Sequence, residues 1–318
     1  MKNKMQIGTV GLGLMGCSIA TCILVAGHPV TSLVKDMVDA KRANERINGF
    51  LNDLFEQGLI TETPEAVLAR HLVTDDIDKL REHEIIIESI FENVEEKRVL
   101  FKNLELVLPD NAIIGSNTSA IPISILQEGL IHPERVIGVH WGEPAHITRF
   151  MEVICGQQSD VKYAERIIEL AVTWGKEPAL VKKDIRGFIT NRLMYALMRE
   201  AFSLVENGYA NIEDVDRSVR NDLGYWMTFA GPFRFMDLTG IPAYLNVMKD
   251  LFPELDNSKE VPDLIKNIVE KGGKGVSNAH GFYSYTKESA EKWEQLFTQF
   301  SFKIRELASK YPQNVGDI

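Results

Sequence analysis

Two side chains in the middle of the sequence could share a proton, His140 and Glu152. His140 follows the short apolar run Val136–Val139, and Glu152 lies inside a second run, Phe150–Ile154. Both runs have the character of buried strands, and the loop between them could bring the second beside the first. A carboxylate against an imidazole fixes its tautomer and steadies the imidazolium that forms when it takes a proton. Such a pair suits alcohol oxidation: the imidazole removes the hydroxyl proton as hydride leaves the carbon, and returns it in the reverse direction. On spacing alone a satisfied structural histidine remains the simpler reading, and Glu152 could be a solvated strand residue. Ser116-Asn117-Thr118-Ser119 would supply hydroxyl donors from Ser119, or simply make a turn. Asn191 could face a site or cap a helix.

A hydride needs an acceptor, and the start of the chain offers one. Ile7–Val10 is a short apolar run that breaks into Gly11-Leu12-Gly13-Leu14-Met15-Gly16, after which a small-residue helix begins. This is G-x-G-x-x-G between a strand and a helix start, the context that marks a dinucleotide site. Gly11 permits the turn, Gly13 lets a pyrophosphate approach the backbone, and Gly16 lets helix and strand pack closely. The open N–H groups at Leu14 and Met15 favour an anion. Asp36 lies 20 residues beyond Gly16, at the distance expected of an acid that binds the ribose hydroxyls of NAD. Lys35 beside it would suit the extra phosphate of NADP.

These residues need a scaffold, and the order of patterns describes one. Apolar runs at Val30–Val34, Glu84–Ile90, Ala112–Ile114 and Ala179–Val181 join those above as strands. They alternate with helical periodicity at Ala40–Gln57, Glu95–Val107 and Val161–Trp174. Thr63-Pro64-Glu65 opens a further helix. The alternation predicts a doubly wound, parallel α/β sheet with helices on both faces. Beyond Asp184-Ile185-Arg186-Gly187 helical periodicity dominates, and Asn211 is placed to cap a helix. The expected domains are therefore a Rossmann-like dinucleotide-binding domain over residues 1–185 and an all-helical domain over residues 186–318.

The 318 residues suffice for two such domains, and 45% apolar residues suffice for their cores. A net charge of -10 argues against nucleic acid and anionic membranes as partners. No apolar run approaches the ~20 residues of a spanning helix, and no targeting segment is expected. Cys17, Cys22 and Cys155 form no metal or redox spacing, so no metal is expected. They read as small buried residues of a protein in a reducing cytoplasm.

Taken together, these residues resemble the 3-hydroxyacyl-CoA dehydrogenases. The resemblance rests on the Gly11–Gly16 loop, Glu92-Asn93 with Lys97, Ser116–Ser119, Gly138-Val139-His140 and Glu152-Val153-Ile154. It continues through the Gly187–Leu193 run GFITNRL, Gly231-Pro232-Phe233 with Asp237 and Gly240, and Gly281-Phe282-Tyr283. It implies an NAD-binding domain, a helical substrate-binding and dimerising domain, and a cleft between them. Its implied catalytic set is Ser119, His140, Glu152 and Asn191, with Glu92 and Lys97 near the nicotinamide half of NAD. The implied partners are a small-molecule substrate, an L-3-hydroxyacyl-CoA, and a second copy of the chain. Several positions depart from the family's pattern. Glu143 stands where the family has an asparagine after its histidine, and Val34 stands at the usual ribose acid. Phe50 and Gln57 replace a serine and a lysine of the CoA-contacting helix, and Ser277 replaces a late lysine. These departures leave a non-CoA 3-hydroxy acid or polar alcohol open, as does a non-catalytic dinucleotide-binding protein.

Overall fold

The computed structural model describes residues 4–311. Eight strands organise the first part: β1 (Ile7–Val10), β2 (Val30–Leu33), β3 (His71–Thr74), β4 (Ile85–Glu88), β5 (Ile113–Ser116), β6 (Val136–Trp141), β7 (Phe150–Cys155) and β8 (Glu177–Val181). They form one sheet in the order β3-β2-β1-β4-β5-β6-β7-β8. β1 to β6 are parallel. β7 runs antiparallel to β6, and β8 is parallel to β7. The sheet is thus mostly parallel, as expected, with its last two strands running the other way. Only residues 142–149 link β6 to β7, and a parallel crossover needs a dozen residues or more.

The strand reading also omits β3, a four-residue edge strand whose Leu72 is exposed. It lacks the continuous apolar run that marks the buried strands. β4 stops at Glu88, short of the expected Ile90, because the Glu88 carboxylate accepts the Ile90 N–H and turns the chain.

Helices α1 (Leu14–Val25), α2 (Ala40–Glu56), α3 (Pro64–Leu68), α4 (Val94–Glu105), α5 (Ile123–Leu126) and α6 (Val161–Thr173) accompany the sheet, and α7 (Thr190–Glu206) follows it. Successive strand side chains point to opposite faces, so the isoleucines of β4 serve two cores. Ile85 and Ile87 pack with Ile19 and Ile23 of α1, Ile47 and Leu51 of α2, and Ile167 of α6. Ile86 packs with Ile114, Phe101 and Leu104 of α4, and Ile123 of α5. All three cysteines are buried thiols. Thr63 accepts an N–H at the start of α3, as its place before Pro64 predicts.

The chain divides into two compact units that part between Arg192 and Leu193. The second unit carries α8 (Ile212–Ser218), α9 (Gly224–Met227), α10 (Pro232–Thr239), α11 (Ile241–Leu251), α12 (Asp263–Glu270) and α13 (Lys287–Ser309). Asn211 caps α8 by accepting the Asp214 N–H. Apart from isolated bridges at His280, the unit is helical among the described residues. No helix among the described residues is long and apolar enough to cross a membrane.

Candidate active site

The β6–β7 hairpin sets His140 directly opposite Glu152 in register. Residues opposed in an antiparallel pair share a face, so the two side chains meet, with His140 Nδ1 2.9 Å from Glu152 Oε2. Both are buried. His140 Nε2 has no hydrogen-bond partner among the described residues, yet it is not sealed from solvent. Glu152 Oε1 accepts two backbone N–H groups, from Ile189 at 2.9 Å and Thr190 at 3.0 Å. These belong to the start of α7, so the carboxylate occupies the positive end of a 17-residue helix. Burial pushes the Glu152 carboxyl up. The hydrogen bond from His140, the Thr190 and Ile189 N–H groups and the imidazole charge outweigh burial and hold it below the ordinary carboxylate value. Glu152 is therefore built to remain an anion that orients the imidazole.

Asn191 is the second residue of α7, and its Nδ2 donates to the Ser119 carbonyl at 2.8 Å. Two pairs, His140 with Glu152 and Asn191 with Ser119, are thus joined through the start of α7, whose Ile189 and Thr190 N–H groups hold Glu152. The Ser119 hydroxyl is on the exposed loop after β5. That loop is held from beneath by Glu92, whose Oε1 accepts from Thr118 Oγ1 at 2.5 Å and from the Ser119 N–H at 3.0 Å. Asn117 ties neighbouring strand ends together: it accepts the Trp141 N–H at 2.9 Å and donates to Ser89 Oγ at 3.2 Å.

Sequence reasoning missed Glu88. It is 0% exposed and its carboxylate receives Lys97 Nζ at 2.5 Å and Ser116 Oγ at 2.6 Å. Lys97 is itself only 1% exposed and lies 3.6 Å from Glu92 Oε2. The ammonium is thus sealed between two carboxylates. The available signal was a single charge ending the run Ile85-Ile86-Ile87, where an unpaired carboxylate would be costly to bury.

A family model for the NAD binding domain of 3-hydroxyacyl-CoA dehydrogenase matches residues 6–185, and one for its C-terminal domain matches residues 187–285. This chain belongs to the 3-hydroxyacyl-CoA dehydrogenase family. It is 32% identical over 287 residues to a 5-formyl-3-hydroxy-2-methylpyridine 4-carboxylate 5-dehydrogenase of Mesorhizobium japonicum, covering 90% of this chain and 92% of the relative. It is 32% identical over 282 residues to a probable 3-hydroxybutyryl-CoA dehydrogenase of Deinococcus radiodurans, covering 88% and 100%. A solved 5-formyl-3-hydroxy-2-methylpyridine 4-carboxylic acid 5-dehydrogenase, described as an NAD+ dependent dismutase, matches with a TM-score of 0.89 at 28% identity, covering 97% of this chain and 100% of that one. The solved (S)-3-hydroxybutyryl-CoA dehydrogenase of Ralstonia eutropha matches with a TM-score of 0.74 at 28% identity, covering 89% and 100%. The protein is an oxidoreductase that uses NAD.

The glycine loop of this family member fits such a cofactor. Gly11 has φ +89, and a methyl group there would lie 2.7 Å from the Ser89 carbonyl oxygen. A methyl at Gly16 would lie 2.0 Å from the Gly11 carbonyl oxygen. Both glycines are demanded by the fold itself. Gly13 is different: a methyl there meets nothing within 4 Å, and its φ of -67° and ψ of -166° suit any residue. Gly13 also precedes α1 with no side-chain cap and no acid in the first turn, so the N–H groups of Leu14 and Met15 are left for an anion. Asp36 is exposed three residues past β2, where it accepts the Val38 N–H at 2.9 Å. Val34 is buried.

The CoA positions of the family pattern are occupied otherwise. Phe50 of α2 is partly buried against the core and stacks on His146, ring centroids 4.1 Å apart. His146 is held in turn by Ser18 at 2.8 Å. Gln57 and Ser277 are exposed and neutral, and Glu143 is exposed on the loop after β6.

Proposed function

We propose that the protein catalyses NAD-dependent oxidation of a secondary hydroxyl group, or the reverse reduction, with His140 as the base. Bound NAD supplies the hydride acceptor. His140 Nε2 takes the hydroxyl proton as hydride departs from the same carbon, and Glu152 keeps Nδ1 protonated so that Nε2 is the basic atom. Ser119 and Asn191 would bind and orient the substrate oxygen. The glycine loop from Gly11 to Gly16, with Leu14, Met15 and Asp36, would hold the dinucleotide, and Glu92 with Lys97 would shape the nicotinamide end. The observation that carries this reading is the 2.9 Å contact between His140 and Glu152 with Nε2 left open.

The family and its 3-hydroxybutyryl-CoA relatives support an L-3-hydroxyacyl-CoA substrate. A second reading, a compact hydroxy or hydrated-aldehyde acid without CoA, is favoured by Phe50. Its ring is spent on His146, where the family pattern has a polar CoA contact. One panel separates the two: 3-hydroxy substrates with and without CoA, followed by NADH absorbance. Turnover of acyl-CoA members alone would reject the second reading, and failure of every member with both NAD and NADP would reject both.

We also infer that two copies associate through the helical unit, because its large apolar side chains are left exposed in one chain.

A further inference from the structure

We infer that Phe188 is a positioning residue for the base, an inference that rests on the reading just given. A bulky residue with positive φ is an outlier, and Phe188 has φ +48 directly after Gly187 at φ +78. Its own N–H donates to the Ile185 carbonyl at 2.9 Å and closes a tight turn. The turn delivers the next two N–H groups, those of Ile189 and Thr190, onto the same oxygen of Glu152. The Phe188 ring is 1% exposed and its centroid lies 5.8 Å from that of His140, tilted by 56°. On another side the Phe150 ring meets the imidazole edge-on, at 5.4 Å and 86°.

Glycine would make the same turn without strain. Phenylalanine at this position adds a ring, and that ring walls the imidazole. One residue thus acts twice on the dyad: its backbone aims the two amides at Glu152, and its side chain limits the tilt of His140. A residue held in a sparsely populated conformation persists where its surroundings over-determine it. Here the surroundings are the buried cluster of Ile121, Ile123, Ile154 and Val181.

The test compares Phe188→Gly and Phe188→Leu with the parent enzyme in steady-state kinetics, across pH, beside thermal unfolding and the NMR signal of the His140 Nδ1 proton. In Phe188→Gly, kcat is expected to fall by about tenfold or more while KM for NAD stays within about twofold. The acid limb of the kcat profile is expected to move, and the Nδ1 proton signal to broaden or vanish. Phe188→Leu restores apolar volume without a flat ring, and should recover kcat to within about threefold of the parent, without reaching it. Purely structural packing would lower the unfolding temperature and leave the pH profile and proton signal unchanged, and that result overturns the inference. If Phe188→Gly does not fold, Phe188→Leu decides: parental kcat, pH profile and proton signal together reject the role. His140→Ala is run alongside. If it still turns over, the reading of the base has failed; if it is dead while both Phe188 variants match the parent, only this inference has failed.

Discussion

The two units of the chain stabilise themselves by different means. Up to Arg192, both faces of the sheet carry sealed cores, and even charged groups such as Glu88 and Lys97 are buried with partners. Beyond it, Ala230 and Ala290 are the buried apolar side chains among the described residues. Phe233 is 79% exposed, and Trp293, Phe297 and Phe300 recur along α13 at the spacing of one helix face. Apolar burial is the main force that offsets chain entropy. The first unit obtains it alone, and the second leaves most of its large apolar side chains exposed. The β6–β7 hairpin that bears the dyad therefore belongs to the self-sufficient part.

The contrast makes a sharp expectation about separate failures. His140→Ala should cost about 10²–10⁴ in kcat, the usual worth of a positioned general base, while the unfolding temperature and the oligomeric state stay those of the parent. Turnover within tenfold of the parent would remove the base assignment. Glu88→Ala should instead damage the first unit itself. Removing one partner of a buried ion pair costs about 3–5 kcal/mol, measured by denaturant unfolding, because Lys97 keeps only longer contacts, with the Ile90 carbonyl at 3.4 Å and Glu92 at 3.6 Å. A loss below about 1 kcal/mol would mean that the pair is dispensable. On the helical side, Phe297→Asp should shift the protein toward monomer in sedimentation equilibrium. It should lower stability by about 2 kcal/mol, from one large apolar side chain no longer covered. A parent protein that is monomeric at micromolar concentration, with an unfolding temperature independent of dilution, would break the comparison.

The same division explains what could be read from the residues. β1 and β4 were legible because a strand buried on both faces is a continuous apolar run. β3 was not, because an edge strand of four residues beginning with His71 has no such run. The reversal of β7 lay in the shortness of residues 142–149, a property of the link and not of the strand. His140 and Glu152 were visible as residue types, and the register that joins them follows from that same short link. The second task of Glu152 was hidden, since its partners are backbone amides of Ile189 and Thr190, which carry no side-chain signature. Glu88 was passed over as one residue inside the expected strand Glu84–Ile90, though its burial requires the cation that Lys97 supplies.

Acid should weaken the first unit before the carboxylates titrate. His71 spans β3, β2 and α2, within hydrogen-bonding distance of Ser32 Oγ at 2.7 Å and Asn44 Oδ1 at 3.0 Å. Burial lowers its pKa to about 4, and burial also lowers that of His83. A histidine whose folded pKa lies below the unfolded value stabilises the fold above the unfolded pKa of about 6.5. That contribution is lost as the pH falls from about 6.5 towards 4, and is on the order of 2 kcal/mol for His71. Glu152, also lowered, acts further down, because its contribution is present above the unfolded carboxylate pKa of about 4.3 and lost below it. Stability measured between pH 7 and 5 should therefore decline in the parent and decline less in His71→Gln. Equal slopes would show that His71 is not the group responsible.

Gly13→Ala should have the smallest effect on the fold. Backbone angles at Gly13 suit alanine, and the added methyl meets open space, so unfolding free energy should change by less than about 0.5 kcal/mol. A dinucleotide phosphate brought to the start of α1 would meet that methyl, and the dissociation constant for NADH, followed by fluorescence titration, should rise about tenfold, or about 1.4 kcal/mol. The matching change at Gly16 cannot make this distinction, since a methyl there collides with the Gly11 carbonyl and disturbs the fold first. Undiminished NADH affinity in a well-folded Gly13→Ala variant would mean that the phosphates lie elsewhere. The openness at Gly13 would then be a property of the loop alone.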